Sequence, residues 1–439
     1  MPFSLTHLVL HRFGSRLYYG WVVVAVVLLA NLVAFSINVT FGLYITPLEA
    51  EFGWSRGAIS FGYALGPILG AVVAPLWGTL LDRIGVRPMM VLAGLLGATC
   101  LILMGRIQAL WQLYVVYSVL FSVLYTGVAQ LMGSVSVTRW FIRRRGRALG
   151  IIMMGASGGG FLFVPLQNLL INALGWRNAY TIYGLLCLLL IVLPTLLFMS
   201  NRPEDAGQQD NVELSPLPQT GRMTSGATHD NWTLREAMRT RVFWSLLAGI
   251  MLATICVAGY FTHVVPHLEH LGFSRTAASS AWSFFFFVSM FSKFAWGFIS
   301  ERLAVRWCLM ICMVGECIGL LLLMHPTSHT QLVLYAVING LGHGPFLQLI
   351  ALVWGNYFGR GHIGSILGTV QPAIVLAGAS GPLVGGLLFD QFGDYRVFLW
   401  LLVAAAAGAG LLFFLSPPPQ RSLSAAHGAA STVPAEPAA

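Results

Sequence analysis

Charged side chains are scarce in this chain, and lysine is almost absent. Asp, Glu, Lys and Arg make up 9% of the 439 residues, whereas an average soluble protein carries about 25%. Hydrophobic residues make up 57%. This balance excludes an ordinary soluble domain and indicates a chain that lies in a lipid bilayer. All but one of the Lys and Arg side chains are arginine, and the single lysine, Lys293, stands inside an apolar stretch.

The sequence also lacks a disulfide framework. All six cysteines fall within apolar runs, where no extracellular pairing is implied. Cys308 and Cys312 lie one helical turn apart, with Glu316 a turn further on, a spacing that a metal ion can use. The more ordinary role of cysteine in a membrane helix is that of a small apolar residue. We therefore expect neither a metal ion nor another cofactor.

Apolar runs of about 20 residues, the length that crosses a bilayer core of roughly 30 Å, recur along the chain. They lack the alternation of membrane strands and so predict helices. We count twelve, at residues 19–46, 57–81, 88–105, 110–138, 147–173, 177–199, 242–267, 276–299, 306–324, 330–356, 363–389 and 396–416. The sequence therefore predicts an all-α membrane protein with twelve transmembrane helices.

The arginines predict the orientation. With a cytoplasmic N-terminus, 18 of the 23 arginines (24 basic residues less one lysine) fall in cytoplasmic segments, as the positive-inside rule requires. The formal charge of +9 then needs no nucleic acid partner. Arg12 and Arg16 precede the first run, but that run is too long for a signal peptide and no small-residue cleavage site follows it. We expect a retained first helix and two cytoplasmic termini.

One long polar stretch divides the chain. Residues 200–241, rich in Pro, Gly, Ser and charge, predict a cytoplasmic linker between two six-helix bundles at 19–199 and 242–416. Thr233 and Glu236 near its end have capping-box spacing. Residues 1–18 are a cytoplasmic N-terminal segment, and residues 417–439 have the composition of a disordered cytoplasmic tail.

The two bundles are internal repeats. With the sequence shifted by 219 positions, matching residues coincide without gaps over about 40 residues: Pro47 and Pro266, Arg56 and Arg275, Trp77 and Trp296, Arg87 and Arg306. Parallel repeats predict two bundles around a central cavity, with substrate bound near the midplane between them.

The repeat contains a loop motif in two copies. GTLLDRIGVR (residues 78–87) follows the second run, and GFISERLAVR (residues 297–306) follows the eighth. The glycine permits close helix approach, and the arginines can brace a neighbouring helix in one conformation and release it in another. The predicted gating residues are Gly78, Asp82, Arg83, Gly85 and Arg87, with Gly297, Glu301, Arg302 and Arg306 in the second copy.

This motif resembles the loop signature of the major facilitator superfamily, and the resemblance covers nearly the whole chain. Within it, YYGWVVVAVV (residues 18–27), EFGWSRGAIS (51–60) and RWFIRRRGRALG (139–150) are similar to the monocarboxylate transporter group, including its bacterial oxalate:formate antiporter branch. The glycine-rich segments GASGGG (155–160) and GASGPLVGG (378–386) lack the Lys-Ser/Thr ending of a phosphate loop, so helix packing is favoured over nucleotide binding. No H-E-x-x-H or G-x-S-x-G motif indicates an enzyme.

Lys293 is the main candidate for substrate binding. A lysine in hydrocarbon costs at least about 2.5 to 3.5 kcal/mol, so it usually faces a cavity or a partner. The alternative is that its long side chain reaches the cytoplasmic interface. In monocarboxylate transporters the eighth helix carries an arginine four residues before the loop-motif glycine, and Lys293 stands four before Gly297. The resemblance therefore implies an anion-binding role.

Three departures from the resembling group affect the expected substrate. Ser289 stands where that group has an aspartate one turn before the arginine. Val39, flanked by Asn38, stands where that group has a lysine in the first helix. The antiporter branch has a lysine in the eleventh helix that this chain lacks. Gln371 is the strongly polar side chain in the corresponding segment. One cation with hydrogen-bonding neighbours suits a single carboxylate. The substrate-binding candidates are Lys293, Ser289, Asn38, Gln130, His343 and Gln371.

Proton coupling, if present, needs another titratable group. The candidates are Glu316 in the ninth helix, His343 in the tenth and His263 near the outer end of the seventh. The alternative for Glu316 is a packing or lipid-side role, because the ninth helix is usually peripheral in the superfamily. For the histidines and Gln130 the alternative is ordinary hydrogen bonding between helices.

The sequence thus predicts a secondary transporter, not an enzyme, that works by alternating access and moves a small monocarboxylate or related organic anion, with or without protons. The alternative on the same fold is an exporter of drugs or other amphiphiles. The expected partners are a small-molecule substrate and membrane lipid, with no nucleic acid. We expect a functional monomer in the bacterial cytoplasmic membrane.

Overall fold

A computed structural model describes residues 18–123, 132, 135–136, 140–141, 145–201, 232–359 and 362–419. The side chains of residues 82, 145, 146, 301 and 351 are not described. Gln130, nearly all of the predicted N-terminal segment, most of the linker and most of the tail also lie outside the described residues.

The described chain is built from long apolar helices. Their bounds are Gly20–Thr40 with Gly42–Phe52, Arg56–Ile84, Val86–Met104, Leu110–Leu120, Arg145–Cys187 with Leu188–Val192 and Leu193–Phe198, Arg241–His270, Arg275–Arg302, Val305–Met324, His329–His343 with Phe346–Phe358, Ile363–Phe392, and Arg396–Phe414. A short helix, Leu234–Met238, ends the linker.

These helices make the twelve predicted spans. Ten segments are long and apolar enough to cross a membrane. One of them, Arg147–Phe198, holds both the fifth and the sixth span, because Gly175 breaks it with a φ of 79° that glycine readily adopts. The described part of the fourth span is Leu110–Val123. The predicted capping box is confirmed: the Glu236 carboxylate accepts from the Thr233 amide at 2.8 Å, and the Thr233 hydroxyl accepts from the Glu236 amide.

The two ends of the bundle differ in how the halves meet. We call the end that carries Arg56 and Arg275 the outer end, and the end that carries the two loop motifs the inner end. At the outer end one hydrophobic core continues from the first half into the second, through Phe261, Trp282 and Phe286. At the inner end the second half has a core of its own. The halves are therefore packed together outside and separated inside.

Glycines, which have no side chain, permit the close packing of the two halves at the outer end. A Cβ at Gly160 of the fifth span would overlap the ring of Phe286 on the eighth span. A Cβ at Gly386 of the eleventh span would lie 2.7 Å from the backbone oxygen of Arg56 on the second. Small residues thus let two pairs of spans from opposite halves approach closely.

Candidate functional site

Lys293 lies on the face of the eighth span that contacts the other half. Four residues at helical spacing point to the fifth span: Ser283 donates to the Phe161 carbonyl at 2.7 Å, Phe286 covers Gly160, the Ser289 hydroxyl lies 3.5 Å from that of Ser157, and Lys293 follows one turn later. Its Nζ donates to Ser157 Oγ at 2.8 Å and to the Met153 carbonyl at 3.4 Å. The lysine side chain therefore joins the two halves.

The contact between the fifth and eighth spans ends at this lysine. One turn further toward the inner end, a Cβ at Gly297 would meet no atom within 4 Å, and the same holds for Gly150 on the fifth span. Every hydrogen bond between the halves that is seen among the described residues lies level with Lys293 or outward of it. The ammonium group thus sits where the two spans separate toward the inner end, a point that we call the apex.

No ion pair joins Lys293 to a carboxylate among the described residues. Its neighbours are a carbonyl oxygen and the hydroxyls of Ser157 and, behind it, Ser289, which is 1% exposed. Hydroxyls can donate to an anion that approaches the ammonium, so the apex offers a cation and two adaptable donors. A small carboxylate is one ligand that such a set of donors can accept.

His343 lies near this apex, at a break in the tenth span. The helix His329–His343 ends there, and the next helix begins at Phe346 after Gly344 and Pro345. The imidazole ring packs 4.9 Å from the ring of Phe261 and 5.5 Å from that of Phe285, and its Nδ1 has no partner among the described residues. Lys293 and His343 are close enough to interact electrostatically. Broken helices commonly line transport sites.

The other predicted substrate residues are not gathered at Lys293. Asn38 accepts a hydrogen bond from the Tyr63 hydroxyl at 2.6 Å, within the first half. Gln371 is exposed on the eleventh span, toward the inner end from the packed Gly386. Gln130 lies outside the described residues. The structure therefore brings together Lys293, Ser289 and His343, whereas Asn38 and Gln371 lie elsewhere.

Aromatic side chains close the apex on its outer side. Trp282 stacks on Phe285 with ring centroids 4.8 Å apart and meets Phe286 at 4.7 Å. The Trp282 indole N–H donates to the Val39 carbonyl of the first span at 3.1 Å. Because Val39 belongs to the other half, this aromatic layer seals the interface between the halves.

A charged cluster closes the outer end between the second and eleventh spans. The Asp390 carboxylate accepts from the backbone amides of Arg56 at 2.9 Å and Gly57 at 2.8 Å, where the second span begins. A helix N-terminus attracts negative charge. The Arg56 guanidinium pairs with Glu49 at 2.9 Å, donates to the Tyr395 hydroxyl and lies 3.8 Å from the Phe389 ring centre.

His263 belongs to this outer closure. Its Nε2 lies 2.7 Å from the Pro382 carbonyl, and its Nδ1 lies 3.2 Å from the Tyr395 hydroxyl. Both ring nitrogens are therefore engaged at the outer end, as the predicted position of the residue implies, and the ring is distant from the lysine apex.

The fifth and eighth spans have an uncharged counterpart to the Asp390 contact. The Asn168 amide lies 3.4 Å from the Thr276 hydroxyl, close to the start of the eighth span. Nearby, Glu269 pairs with Arg275 at 2.6 Å and accepts from Thr46 of the first half at 2.6 Å. The two halves are thus joined at the outer end by a charged contact at Asp390, a charge-assisted bond from Thr46 to Glu269 and a weaker neutral contact at Asn168.

Glu316 is enclosed within the second half. Its side chain is 0% exposed and faces the Asn339 carboxamide of the tenth span. The lipid-side alternative is wrong, because the residue lies on the face of the ninth span that packs against neighbouring helices.

The predicted gating motifs lie apart at the inner end. Gly78 and Gly297 both face open space, so the close helix approach expected at these glycines is not made in this structure. In the first copy the Arg87 guanidinium donates to the Leu196 carbonyl of the sixth span. In the second copy Arg306 lies over the Trp307 ring, 5.1 Å from its centre.

The remaining motif residues complete this comparison. Gly85 adopts a φ of 83°, which favours glycine, whereas Ala304 in the second copy has a φ of −58°. Arg83 and Arg302 are exposed. The side chains of Asp82 and Glu301 lie outside the described residues.

Sequence reasoning missed two parts of the site. Ser157 stands in a glycine-rich segment that predicts only helix packing, although it is the one hydroxyl in GASGGG. The contact of Arg56 with Asp390 joins residues more than 300 positions apart. The exact repetition of Arg56 as Arg275 signalled a position of interest, but not its partner.

Comparisons with known proteins agree with this architecture. Residues 26–281 and 264–437 match the family model of the Major Facilitator Superfamily. The chain is 24% identical over 411 residues to Monocarboxylate transporter 12-B of Danio rerio, covering 87% of this chain and 84% of that protein. It is 25% identical over 386 residues to Monocarboxylate transporter 13 of Rattus norvegicus, covering 86% and 84%.

A solved structure shares the fold. A bacterial homolog to the human lysosomal transporter Spinster, in an inward-facing and unoccupied conformation, superposes with a TM-score of 0.68 at 19% identity, covering 92% of this chain and 98% of that chain. Two repeated bundles with a polar apex between them define a multi-pass membrane transporter, not an enzyme. The chain belongs to the Major Facilitator Superfamily, and its predicted resemblance to the monocarboxylate transporters is confirmed.

Proposed function

We propose that this transporter moves a small monocarboxylate, or a related organic anion, by alternating access of its two halves. The observation that carries the proposal is the position of the only lysine. Its ammonium lies at the apex of the inner opening, bonds to Ser157 of the other half, and has no described carboxylate partner. An anion is the ligand that such a group would recognise.

The residues around the ammonium favour one carboxylate over two. Lys293 is the cation at the apex, whereas a dicarboxylate held at both ends would call for a second. The aromatic layer of Trp282, Phe285 and Phe286 bounds the outer side of the site. A short apolar chain or ring on the acid would pack against these rings while its carboxylate meets Lys293.

Anion binding also suggests how the halves respond to substrate. Lys293 donates to Ser157 and Met153 across the interface. A carboxylate would compete for the same ammonium protons and replace these bonds. Substrate would therefore change the link between the fifth and eighth spans, which is the differential interaction that a conformational switch requires.

The arginine distribution supports an inner end that faces the cytoplasm of a bacterial cell, with both termini on that side. Because both sides of the apex come from one chain, a monomer is sufficient for transport. The relatives named above are monocarboxylate transporters, which favours this substrate class over amphiphilic drugs.

Uptake of labelled formate, acetate, lactate and pyruvate into proteoliposomes tests the proposal, with oxalate and ethidium as members of the two competing substrate classes. We expect a monocarboxylate to be transported, and Lys293→Ala to lower its uptake roughly 100-fold, the range for a desolvated charge pair. Lys293→Arg should retain part of the activity.

Ser292→Ala is the matched control, because this neighbouring hydroxyl bonds to the Leu341 carbonyl of its own half at 2.8 Å. Its uptake should stay near the wild-type value. Transport of ethidium alone, or a folded Lys293→Ala protein with unchanged monocarboxylate uptake, would contradict the assignment.

A further inference from the structure

Glu316 is a buried carboxyl group that is not part of the candidate anion site at Lys293. Its side chain is 0% exposed, and neither carboxyl oxygen has a hydrogen-bond partner of normal geometry among the described residues. An ionised carboxylate left unpaired in an apolar interior is strongly unfavourable, whereas a neutral carboxyl group is tolerated far better. The surroundings therefore suit a carboxyl group that carries a proton.

Among the residues that the structure describes, the groups that face Glu316 include no cation. They are the Asn339 carboxamide and the thiols and phenols of Cys256, Tyr260, Cys312, Cys317 and Tyr335, supplied by the seventh, ninth and tenth spans. The twelfth span contributes the Val403 carbonyl, which accepts from the Cys317 thiol. A sodium ion would call for several oxygen ligands, but the Asn339 oxygen already accepts from Tyr260, and thiols are poor ligands for it. This composition favours a proton.

Close packing of the ninth and tenth spans forms this environment. A Cβ at Gly315 would lie 3.3 Å from the Cα of Gly342, so two glycines bring the backbones together. Asn339 packs over Gly319, one turn beyond Glu316. In the first half the repeat mate of Glu316 at the same 219-residue shift is Gly97. The carboxyl group is therefore specific to the second half.

A series of neighbouring side chains, joined by both polar and ring contacts, runs from Glu316 toward Lys293. The Asn339 carboxamide faces Glu316, and its Oδ1 accepts from the Tyr260 hydroxyl at 3.0 Å. The Tyr260 ring meets the His343 ring edge-on with centroids 6.3 Å apart. His343 in turn interacts electrostatically with Lys293. Each neighbour in this series is in contact with, or electrostatically linked to, the next.

Charge balance links the two ends of this series. Away from the helix ends, Lys293 and Glu316 are the two residues with charged side chains in the spans of the second half. Burial opposes ionisation of Glu316, and an ammonium at Lys293 without a bound anion is the charge in this half that favours it. With a carboxylate at Lys293, a protonated Glu316 would keep the interior neutral. Binding of a proton and of an anion would therefore favour each other, and linkage makes this effect reciprocal.

The two histidines fit the same role less well. Both nitrogens of His263 are engaged in the outer closure. His343 lies beside Lys293, whose positive charge opposes a second one on the imidazole. Glu316 differs from both, because a proton there adds no positive charge to the lysine site.

We propose that Glu316 is the proton-binding group that couples this transporter to a pH gradient, acting from inside the second half through Asn339, Tyr260 and His343. The inference rests on the proposed function. A proton adds to the ionised Glu316 carboxylate when an anion enters, and it leaves to water when the anion is released. One proton therefore accompanies one substrate carboxylate, and no net charge moves.

The test compares exchange with accumulation in proteoliposomes, using whichever of labelled acetate, lactate or pyruvate the wild type moves. A gradient of one pH unit, acid outside, can drive about tenfold accumulation when one proton accompanies each anion. Glu316→Gln keeps the shape of the protonated group but cannot release a proton. We expect it to retain exchange of labelled for unlabelled anion within about twofold, and to lose accumulation driven by pH.

Two variants serve as controls. Glu316→Asp retains a titratable carboxyl group and should keep measurable pH-driven accumulation. Ile318→Val changes an exposed side chain on the same span and should leave both measurements near wild type. Proton uptake on anion addition, followed with a pH dye at equal pH on both sides, should occur in wild type and be absent in Glu316→Gln.

The outcomes separate the two proposals. If wild type moves none of the acids, the proposed function itself fails. If wild type exchanges an acid but accumulation follows a sodium gradient or is unaffected by pH, only the role of Glu316 as a proton site fails. That role also fails if Glu316→Gln still accumulates the acid, or if the folded variant loses exchange together with accumulation.

Discussion

Gly386 and Gly368 lie on one face of the eleventh span, about five helical turns apart, yet their surroundings are opposite. At the outer end Gly386 packs against the backbone of Arg56 and Gly57. Toward the inner end Gly368 has no atom within 4 Å of the position of a Cβ. The same surface is therefore an interface at one end of the molecule and open at the other. A glycine on this span therefore indicates that a close helix approach is possible, not that it is made.

The closed end relies on contacts of unequal strength. Asp390 meets a helix N-terminus with full negative charge, whereas Asn168 meets Thr276 through a longer neutral contact. The second and eleventh spans should thus contribute more to outer closure than the fifth and eighth. Spin labels at the exposed positions Gln108 and Thr330, one on each half at the outer end, give a distance that reports this closure.

The largest expected effect comes from filling the closed interface. In Gly386→Ala the new methyl group would lie 2.7 Å from the Arg56 oxygen and 2.8 Å from the Gly57 Cα, and backbone atoms cannot turn away. Overpacking of this kind costs about 3 kcal/mol, which favours separation of the outer ends roughly 100-fold. The distance between the labels should lengthen, whereas Gly368→Ala should leave it unchanged. An equal response of the two variants would contradict the contrast between the ends.

A smaller effect is expected from removing the charged contact. Asp390→Ala leaves the amides of the buried residues Arg56 and Gly57 without their acceptor, at a cost of about 2 kcal/mol. The population with long label distances should rise roughly 30-fold. Asp394→Asn is the matched control, because Asp394 contacts Arg396 within its own half. A short distance retained in Asp390→Ala would show that packing alone closes this end.

The smallest effect is expected at the neutral contact. Asn168→Ala removes the 3.4 Å hydrogen bond to Thr276 across the interface, worth about 0.5 kcal/mol, and a bond from Asn172 within the fifth span. The label distances should broaden slightly, with a change in population of about twofold. A shift as large as that of Asp390→Ala would mean that the two pairs of spans share the closure equally.

Most of the architecture could be predicted from the sequence. Continuous apolar runs can satisfy their backbone in lipid only as helices, so the twelve spans followed from composition and length. The capping box at Thr233 followed from local spacing. The repeat of Arg56 as Arg275 and of the loop motifs predicted two equivalent halves, because both copies must occupy equivalent positions.

The site could be predicted only in part. Ser289 is one turn from Lys293 on the same helix, so helical spacing placed them together. Ser157 comes from another half of the chain, and no local pattern indicates which small residue will meet a lysine. The sequence also encodes both the open and the closed arrangement of each end. It therefore could not indicate that Gly78 and Gly297 would face open space here.

Lys293 also has a consequence for chemical labelling. It carries the only side-chain amine in the whole chain, and that amine sits at the deepest point reached from the inner end. A small amine-reactive reagent would therefore mark one defined side chain, at a rate set by how often the inner end is open. Under the proposed alternating access, the rate of labelling at Lys293 would therefore follow the opening and closing of the inner end.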